Sequence, residues 1–267
     1  MRSLRELMDL GGRVVAITGG AGHIGGALAD ALAELGASIV LIDRYGDSCA
    51  AAARRVGEAY DVETLALDAD LSQDEEVVRI PTQIEERFQR LDVLINCAAF
   101  VGTDRLTGWN VKFSEQSIET WRACVDVNLN SCFLLTQKCA PLLVESGRGA
   151  VINVLSIYGL VGPDWRLYEG STMGNSGAYA ASKGGLAQLT RWLSTTLAPR
   201  IRVNSITPGG VWRGQDQIFH EKYVSRVPLG RMAMEEDFKG AAAYLASDLS
   251  GYVTGQNIVV DGGWTTW

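Results

Sequence analysis

Histidine is almost absent from this chain: His23 and His220 are the only two among 267 residues, and they stand far apart. A histidine-built zinc site has no ligand set here, and a Ser-His-Asp hydrolase has few candidate bases. Cysteine is sparse too. Cys49, Cys97, Cys124, Cys132 and Cys139 stand singly in mainly apolar surroundings with no C-x-x-C pair, which reads as reduced core thiols of a cytoplasmic protein. Six prolines form no Pro-rich linker. No stretch approaches the about 18 uncharged apolar residues of a membrane span. The opening Met1-Arg2-Ser3-Leu4-Arg5-Glu6 leads into no secretory apolar run. Positive charge is in deficit, with 24 Lys and Arg against 31 Asp and Glu and a net charge of −7. That balance argues against nucleic acid or an anionic membrane surface as a partner.

What is present is a rhythm. Short β-branched runs at Val14–Ile17, Ser38–Ile42, Thr64–Leu67, Val93–Ile95, Ala150–Val154, Ile201–Ile206 and Asn257–Val260 alternate with longer Ala-, Leu-, Glu- and Arg-rich segments. Ile24–Leu35, Cys49–Ala59 and Gln73–Arg90 are examples of such helical segments. Near-continuous apolar strands separated by helices predict a parallel sheet covered on both faces. The fold class is α/β, a doubly wound seven-stranded parallel sheet in one domain spanning 1–267. Two segments break the rhythm, Phe100–Lys112 and Tyr158–Gly177. Both follow C-terminal strand ends, where open α/β sheets bind ligands, and both are rich in Gly and aromatics. They are expected to face substrate.

The first strand runs into Thr18-Gly19-Gly20-Ala21-Gly22-His23-Ile24-Gly25, and a helix follows at once. Gly20, Gly22 and Gly25 match G-x-G-x-x-G in strand–turn–helix context. Glycines allow the tight turn, and the helix N-terminus offers free N–H groups and a positive dipole end to a pyrophosphate. The second strand leads to Asp43, roughly 20 residues past the glycines, where a carboxylate accepts from both adenosine ribose hydroxyls. NAD is therefore favoured over NADP, although Arg44 next door could partner a 2′-phosphate.

Farther on, Tyr179 and Lys183 stand four residues apart, on one face of a helix. A cation beside a phenol favours the phenolate, lowering its pKa from about 10 and making a general acid/base. With Asp70-Leu71, Asn96-Cys97-Ala98-Ala99, Asn128, Ser156 and Pro208-Gly209 in the same order and spacing, the chain resembles the short-chain dehydrogenase/reductase family along nearly its whole length. The ending Tyr252-Val253-Thr254-Gly255-Gln256…Val260-Asp261-Gly262-Gly263 resembles that family's C-terminal signature.

The resemblance implies a Rossmann-type fold, a nicotinamide cofactor and a catalytic tetrad. Tyr179 would move the proton on the substrate oxygen. Lys183 would lower the tyrosine pKa and bond the nicotinamide ribose, Ser156 would hold the substrate oxygen, and Asn128 would anchor a water in a relay behind Lys183. It implies cofactor contacts from Gly19, Gly22, His23, Ile24, Asp43, Arg44, Asp70, Leu71, Asn96, Ala98, Tyr179, Lys183, Pro208, Gly209 and Val211. Ser156, Tyr158, Trp165 and Tyr179 are the expected substrate contacts, and no metal is expected.

The departures from the family pattern are specific. His23 occupies the second glycine of T-G-x-x-x-G-x-G, Ala99 closes a segment that is commonly N-N-A-G, and Arg213 stands where a threonine is common. The stretch from Ser156 to Tyr179 is longer than usual, through Pro163-Asp164-Trp165-Arg166-Leu167-Tyr168-Glu169-Gly170. Its charged pairs and aromatics predict a polar secondary alcohol or ketone as substrate, of the sugar or sugar-acid kind. An NADPH-linked 3-ketoacyl-carrier-protein reductase is the second enzyme reading, against which Asp43 and the net charge of −7 count. A non-catalytic NAD(H)-binding subunit is the alternative of another class. Family resemblance further implies a homotetramer, or a homodimer. Its interfaces would lie on the helices carrying Asn128 and Tyr179 and in the aromatic tail Gly263–Trp267.

Overall fold

The structure, a computed structural model, describes residues 1–100, 106–171 and 173–267. Residues 101–105 of the first expected substrate loop, and Thr172 of the second, lie outside the described set. The seven apolar runs form seven strands: β1 Val14–Thr18, β2 Ser38–Asp43, β3 Thr64–Asp68, β4 Val93–Asn96, β5 Gly149–Val154, β6 Ile201–Pro208 and β7 Asn257–Val260. They make one sheet in the order β3-β2-β1-β4-β5-β6-β7. Every pairing is parallel. Between them run α1 Leu4–Met8, α2 His23–Glu34, α3 Gly46–Tyr60, α4 Asp74–Val77, α5 Ile80–Phe88, α6 Ile118–Val125, α7 Ser131–Glu145, α8 Gly177–Thr196, α9 Gln217–Val224 and α10 Lys239–Ala246.

Strand periodicity divides the core into two layers. Val15 and Ile17, Ile39 and Leu41, and Ile152 and Val154 point to one face, against Leu28 and Leu32 of α2, Val56 of α3 and Leu245 of α10. Ala16, Val40, Leu94 and Val151 point to the other, against Ile84 of α5, Leu135 and Leu142 of α7 and Leu193 of α8. Helices on both faces are why these strands are apolar throughout rather than alternating. Among the described residues no helix is long and apolar enough to cross a membrane.

Two expectations need correction. Gln73–Arg90 is not one helix but two, α4 and α5, with Pro81 in the first turn of the second. Proline has no N–H for the carbonyl four residues back and its ring crowds that carbonyl, so the helix must restart there. The tail also behaves differently. Trp264 is 4% exposed within its own chain, its ring stacked on Tyr223 and edge-on to Tyr158. Of the tail's two tryptophans, Trp267 is the open one, at 74%.

β1 pairs with β2 on one side and β4 on the other, so the connections leave β1 and β4 in opposite directions. The crevice above that reversal is where such sheets take ligands.

Candidate active site

The turn after β1 is built from close backbone approaches. Gly19 has a φ of +66°, and a Cβ there would lie 2.8 Å from the Ala98 Cα. At Gly25 a Cβ would sit 2.2 Å from the Gly19 carbonyl oxygen, so only glycine lets α2 begin against the turn. Gly20 is placed differently: its N–H donates to the Ile42 carbonyl, and a Cβ would strike Leu41. The Thr18 hydroxyl accepts from the N–H groups of Cys97 and Ala98, both at 3.0 Å, tying the ends of β1 and β4 together. Asp43 braces the same turn, accepting from the Ala21 N–H at 3.1 Å. Arg44 lies over the Tyr45 ring at 4.8 Å and donates to its hydroxyl.

This turn floors one end of a cavity of about 850 Å³. Gly19, Gly22, His23, Ile24, Asp43, Arg44, Asp70, Leu71, Ala98, Pro208, Gly209 and Val211 all line it, as expected. Asn96 does not. It is 2% exposed, its amide donating to Asn153 at 2.8 Å and to Thr136 at 3.3 Å. Asn153 passes the chain on to Thr190 of α8, so Asn96 belongs to a buried cross-tie beneath the cavity.

At the other end stand Ser156, Tyr158, Tyr179 and Lys183. Lys183 is 1% exposed; its ammonium donates to the Val154 carbonyl at 2.8 Å and lies 5.9 Å from the centre of the Tyr179 ring. Gly159 makes room for this, since a Cβ there would meet the Lys183 backbone at 2.7 Å. Ser176 caps α8, fixing the helix one turn before Tyr179. Ser156 also caps a short turn, its hydroxyl oxygen accepting from the Tyr158 N–H at 3.2 Å.

Asn128 sits in a π-helical turn, Asp126–Asn130, between α6 and α7. It is fully buried and does not line the cavity. Its side-chain oxygen accepts from the Phe100 N–H at 2.6 Å, and its amide donates to Ser182 at 3.0 Å. The Ser182 hydroxyl in turn donates to the Tyr179 carbonyl at 2.8 Å.

The insertion before Tyr179 is not arranged as its sequence predicts. Trp165 is 57% exposed and packs its ring on Tyr168 without reaching the cavity; Tyr168 is the insertion's aromatic that does. Asp164 is spent on Arg166 and Arg226, and the hydrogen bonds from Arg166 hold its carboxyl down at about 2. Lys222 of α9 donates to the Arg166 and Glu169 carbonyls. These charges fasten the insertion to α9 and to Arg226 just beyond it, and Asp164, Arg166 and Lys222 do not line the cavity.

Trp109 lines the cavity from within the expected Phe100–Lys112 loop, whereas sequence reasoning missed Phe219, Tyr223 and Met232. Phe219 and Tyr223 stand i and i+4 on α9, a spacing legible in the sequence. Tyr223 accepts from the Gly210 N–H at 2.6 Å, and burial pushes its phenol up to about 12. Tyr158, hydrogen-bonded to the Tyr168 hydroxyl, is held well above the usual range by burial. Among the described residues no group of His, Cys, Asp and Glu could hold a metal.

A family profile described as enoyl-(acyl carrier protein) reductase matches residues 19–265. A short-chain type dehydrogenase/reductase of Sinorhizobium fredii is 33% identical over 261 residues, 95% of this chain. The chain belongs to the short-chain dehydrogenase/reductase family. It spans 44% of that Sinorhizobium protein's length, but nearly all of other relatives. The 3-oxoacyl-(acyl-carrier-protein) reductase of Thermotoga maritima is 34% identical, with 96% of this chain and 99% of the relative covered. The cis-4-hydroxycyclohexanecarboxylate dehydrogenase of Sinomonas cyclohexanicum is 32% identical, with 95% and 96% covered. Among solved structures, the NADPH-dependent 3-quinuclidinone reductase of Rhodotorula rubra superposes with a TM-score of 0.89 at 27% identity, covering 100% of this chain and 96% of the other. This short-chain dehydrogenase/reductase is an NAD(P)-dependent oxidoreductase.

The hydrogen bonds of Asn128 generate a test. Asn128→Ala would strand the part-buried Phe100 N–H and remove a partner of Ser182, at an expected cost of about 1–3 kcal/mol. Chemical denaturation would register the loss, and the Phe100 amide would exchange faster with deuterium.

Proposed function

We propose that this oxidoreductase interconverts an uncharged, ring-bearing secondary alcohol and its ketone, using NAD. The reading is carried by the convergence of Tyr179, Ser156 and the Lys183 ammonium on one cavity whose floor is the glycine turn. The absent side chains at Gly19 and Gly25 fit a dinucleotide, because they let α2 open directly onto that floor. When bound, the nicotinamide supplies or takes up the hydride.

The chain's own groups manage the proton. Tyr179 gives its phenolic proton to the substrate oxygen in reduction and takes it back in oxidation. An ammonium has three N–H donors; Lys183 directs one to Val154, leaving two for a ribose hydroxyl and the phenol. The Ser156 oxygen already accepts from Tyr158, so its own hydrogen is available to hold the substrate oxygen. Asn128 acts as a positioning residue, through Ser182 and the Tyr179 carbonyl.

Wall chemistry narrows the substrate. Trp109, Tyr158, Tyr168, Phe219, Tyr223 and Met232 offer apolar and aromatic faces, which suit the C–H faces of a ring. Among the described residues the cavity's cationic or basic side chains are His23, Arg44, Lys183 and Arg213; Lys183 is directed to the Val154 carbonyl and His23 and Arg213 to Glu235. A neutral sugar or cyclic alcohol therefore fits better than a sugar acid. The relatives' names span both carrier-linked and cyclic substrates.

Asp43 supports NAD, since it lines the cavity beside the glycine turn, where a carboxylate would accept from the adenosine ribose and repel a 2′-phosphate. The NADPH-dependent structural neighbour and the carrier-protein reductase relative favour the second reading, an NADPH-linked ketoacyl reductase. Free thiols at all five cysteines support a reducing, cytoplasmic setting. For assembly we favour a homotetramer, with Phe133 and Trp192, 40% and 53% exposed, on the α7 and α8 faces that would pair.

Three measurements test these points. With neutral cyclic alcohols, their ketones and aldonates as a panel, Tyr179→Phe is expected to lose at least about a hundred-fold in turnover while NADH still binds; a fully active variant sinks the mechanism, and faster turnover of aldonates sinks the substrate class. Fluorescence titration should give tighter binding of NADH than NADPH, with Asp43→Ala narrowing the gap. Tighter NADPH binding by the wild type would hand the case to the ketoacyl reductase reading. Light scattering at micromolar concentration should report four subunits, and a monomer would remove the assembly.

A further inference from the structure

Two of the chain's departures from its family pattern, His23 and Arg213, lie far apart in sequence yet meet on one carboxylate. The His23 Nδ1 and the Arg213 Nε each lie 3.5 Å from the same oxygen of Glu235. His23 opens α2 on the floor of the cavity, Arg213 hangs from the loop after β6, and both line the cavity.

The backbone makes this meeting specific. Val211 bridges Ala233 in parallel, with the Trp212 N–H donating to the Ala233 carbonyl and the Ala233 N–H to the Gly210 carbonyl, both at 2.9 Å. The Gln215 side chain closes the turn, donating to the Val211 carbonyl and accepting from the Arg213 N–H. Pairing 211 with 233 sets residue 213 beside residue 235. Glu235 in turn stands on a fixed platform. Phe238, three residues on, is fully buried in the core, and Asp237 is pinned by Arg231. The carboxylate thus has a set position, while the two side chains it holds are 66% and 38% exposed and long enough to swing.

We propose that Arg213 and His23 form a two-sided clamp for the diphosphate of the dinucleotide, and that Glu235 is its internal competitor. Without ligand, the carboxylate holds the Arg213 guanidinium and the His23 ring at the rim. A diphosphate carries two negative charges against one, and it lies within reach of the α2 N-terminus as well. It draws Arg213 off Glu235 toward the cavity. The inference rests on the cavity being a dinucleotide site, and assigns to Arg213 a diphosphate contact that the family's threonine at that position could make only as a neutral donor.

The test is equilibrium binding of NADH by fluorescence and of ADP-ribose by calorimetry, at low and high salt. Arg213→Ala should weaken both ligands by about ten-fold and flatten the salt dependence; Arg213→Lys should recover part of the loss. Glu235→Gln should tighten both by up to about five-fold, and should have no effect in the Arg213→Ala background. Unchanged binding by Arg213→Ala, or weaker binding by Glu235→Gln, overturns the clamp while leaving the dinucleotide reading intact. Failure of the wild type to bind NADH, NADPH or ADP-ribose overturns both.

Discussion

A lysine ammonium buried at the end of β5 is the constraint to which the rest of the site answers. Burying a charge costs several kcal/mol unless it is hydrogen-bonded and near favourable dipoles. The fold meets that cost with the Val154 carbonyl at the C-terminal edge of the sheet and with the face of the Tyr179 ring one helical turn away. Lys183 can lie so deep only because Gly159 has no side chain to strike its backbone. Helix α8 can approach so closely only because its start is capped by Ser176 and its Tyr179 carbonyl is tied through Ser182 to Asn128. The ammonium and phenol are thereby fixed in relation to the sheet edge rather than to a mobile loop.

Much of this was legible in the sequence, and the reason is physical. All seven strands are buried on both faces, so their apolar runs stand out, and each was expected to within one or two residues of its observed start. The glycine turn could be read because backbone contact leaves no latitude in residue type at Gly19 and Gly25. What failed were inferences from residue character without position. Asn96 sits at the right place in the chain, but strand alternation turns its side chain into the core. Trp165 and Tyr168 are equally aromatic, and only the local 3₁₀ turn at Trp165–Leu167 decides which one faces inward. Asp164 and Arg166 looked like substrate ligands because their partner Arg226 lies far away in sequence.

The aromatic end of the cavity is built on a different plan from the glycine-turn end. Gly19, Asp43 and Asp70 follow directly from strand termini, so the sheet itself places them. The aromatic wall comes from loops and α9, held by tertiary contacts: Arg226 joins Asp164 and lies 5.7 Å from the centre of the Trp264 ring, and Trp264 stacks on Tyr223. A change of substrate can therefore be accommodated in the wall with little disturbance to the dinucleotide end.

That wall also has a history along the chain. Its lining residues Trp109, Tyr158, Tyr168, Tyr223 and Met232 are spread along the chain from 109 to 232, whereas β1, β2 and β3 lie within the first 68 residues. Contacts between distant segments close late, because the entropy of the intervening loops must be overcome first. The glycine-turn end of the cavity can take shape while its aromatic wall is still unassembled. Selectivity is then the last property this protein acquires as it folds.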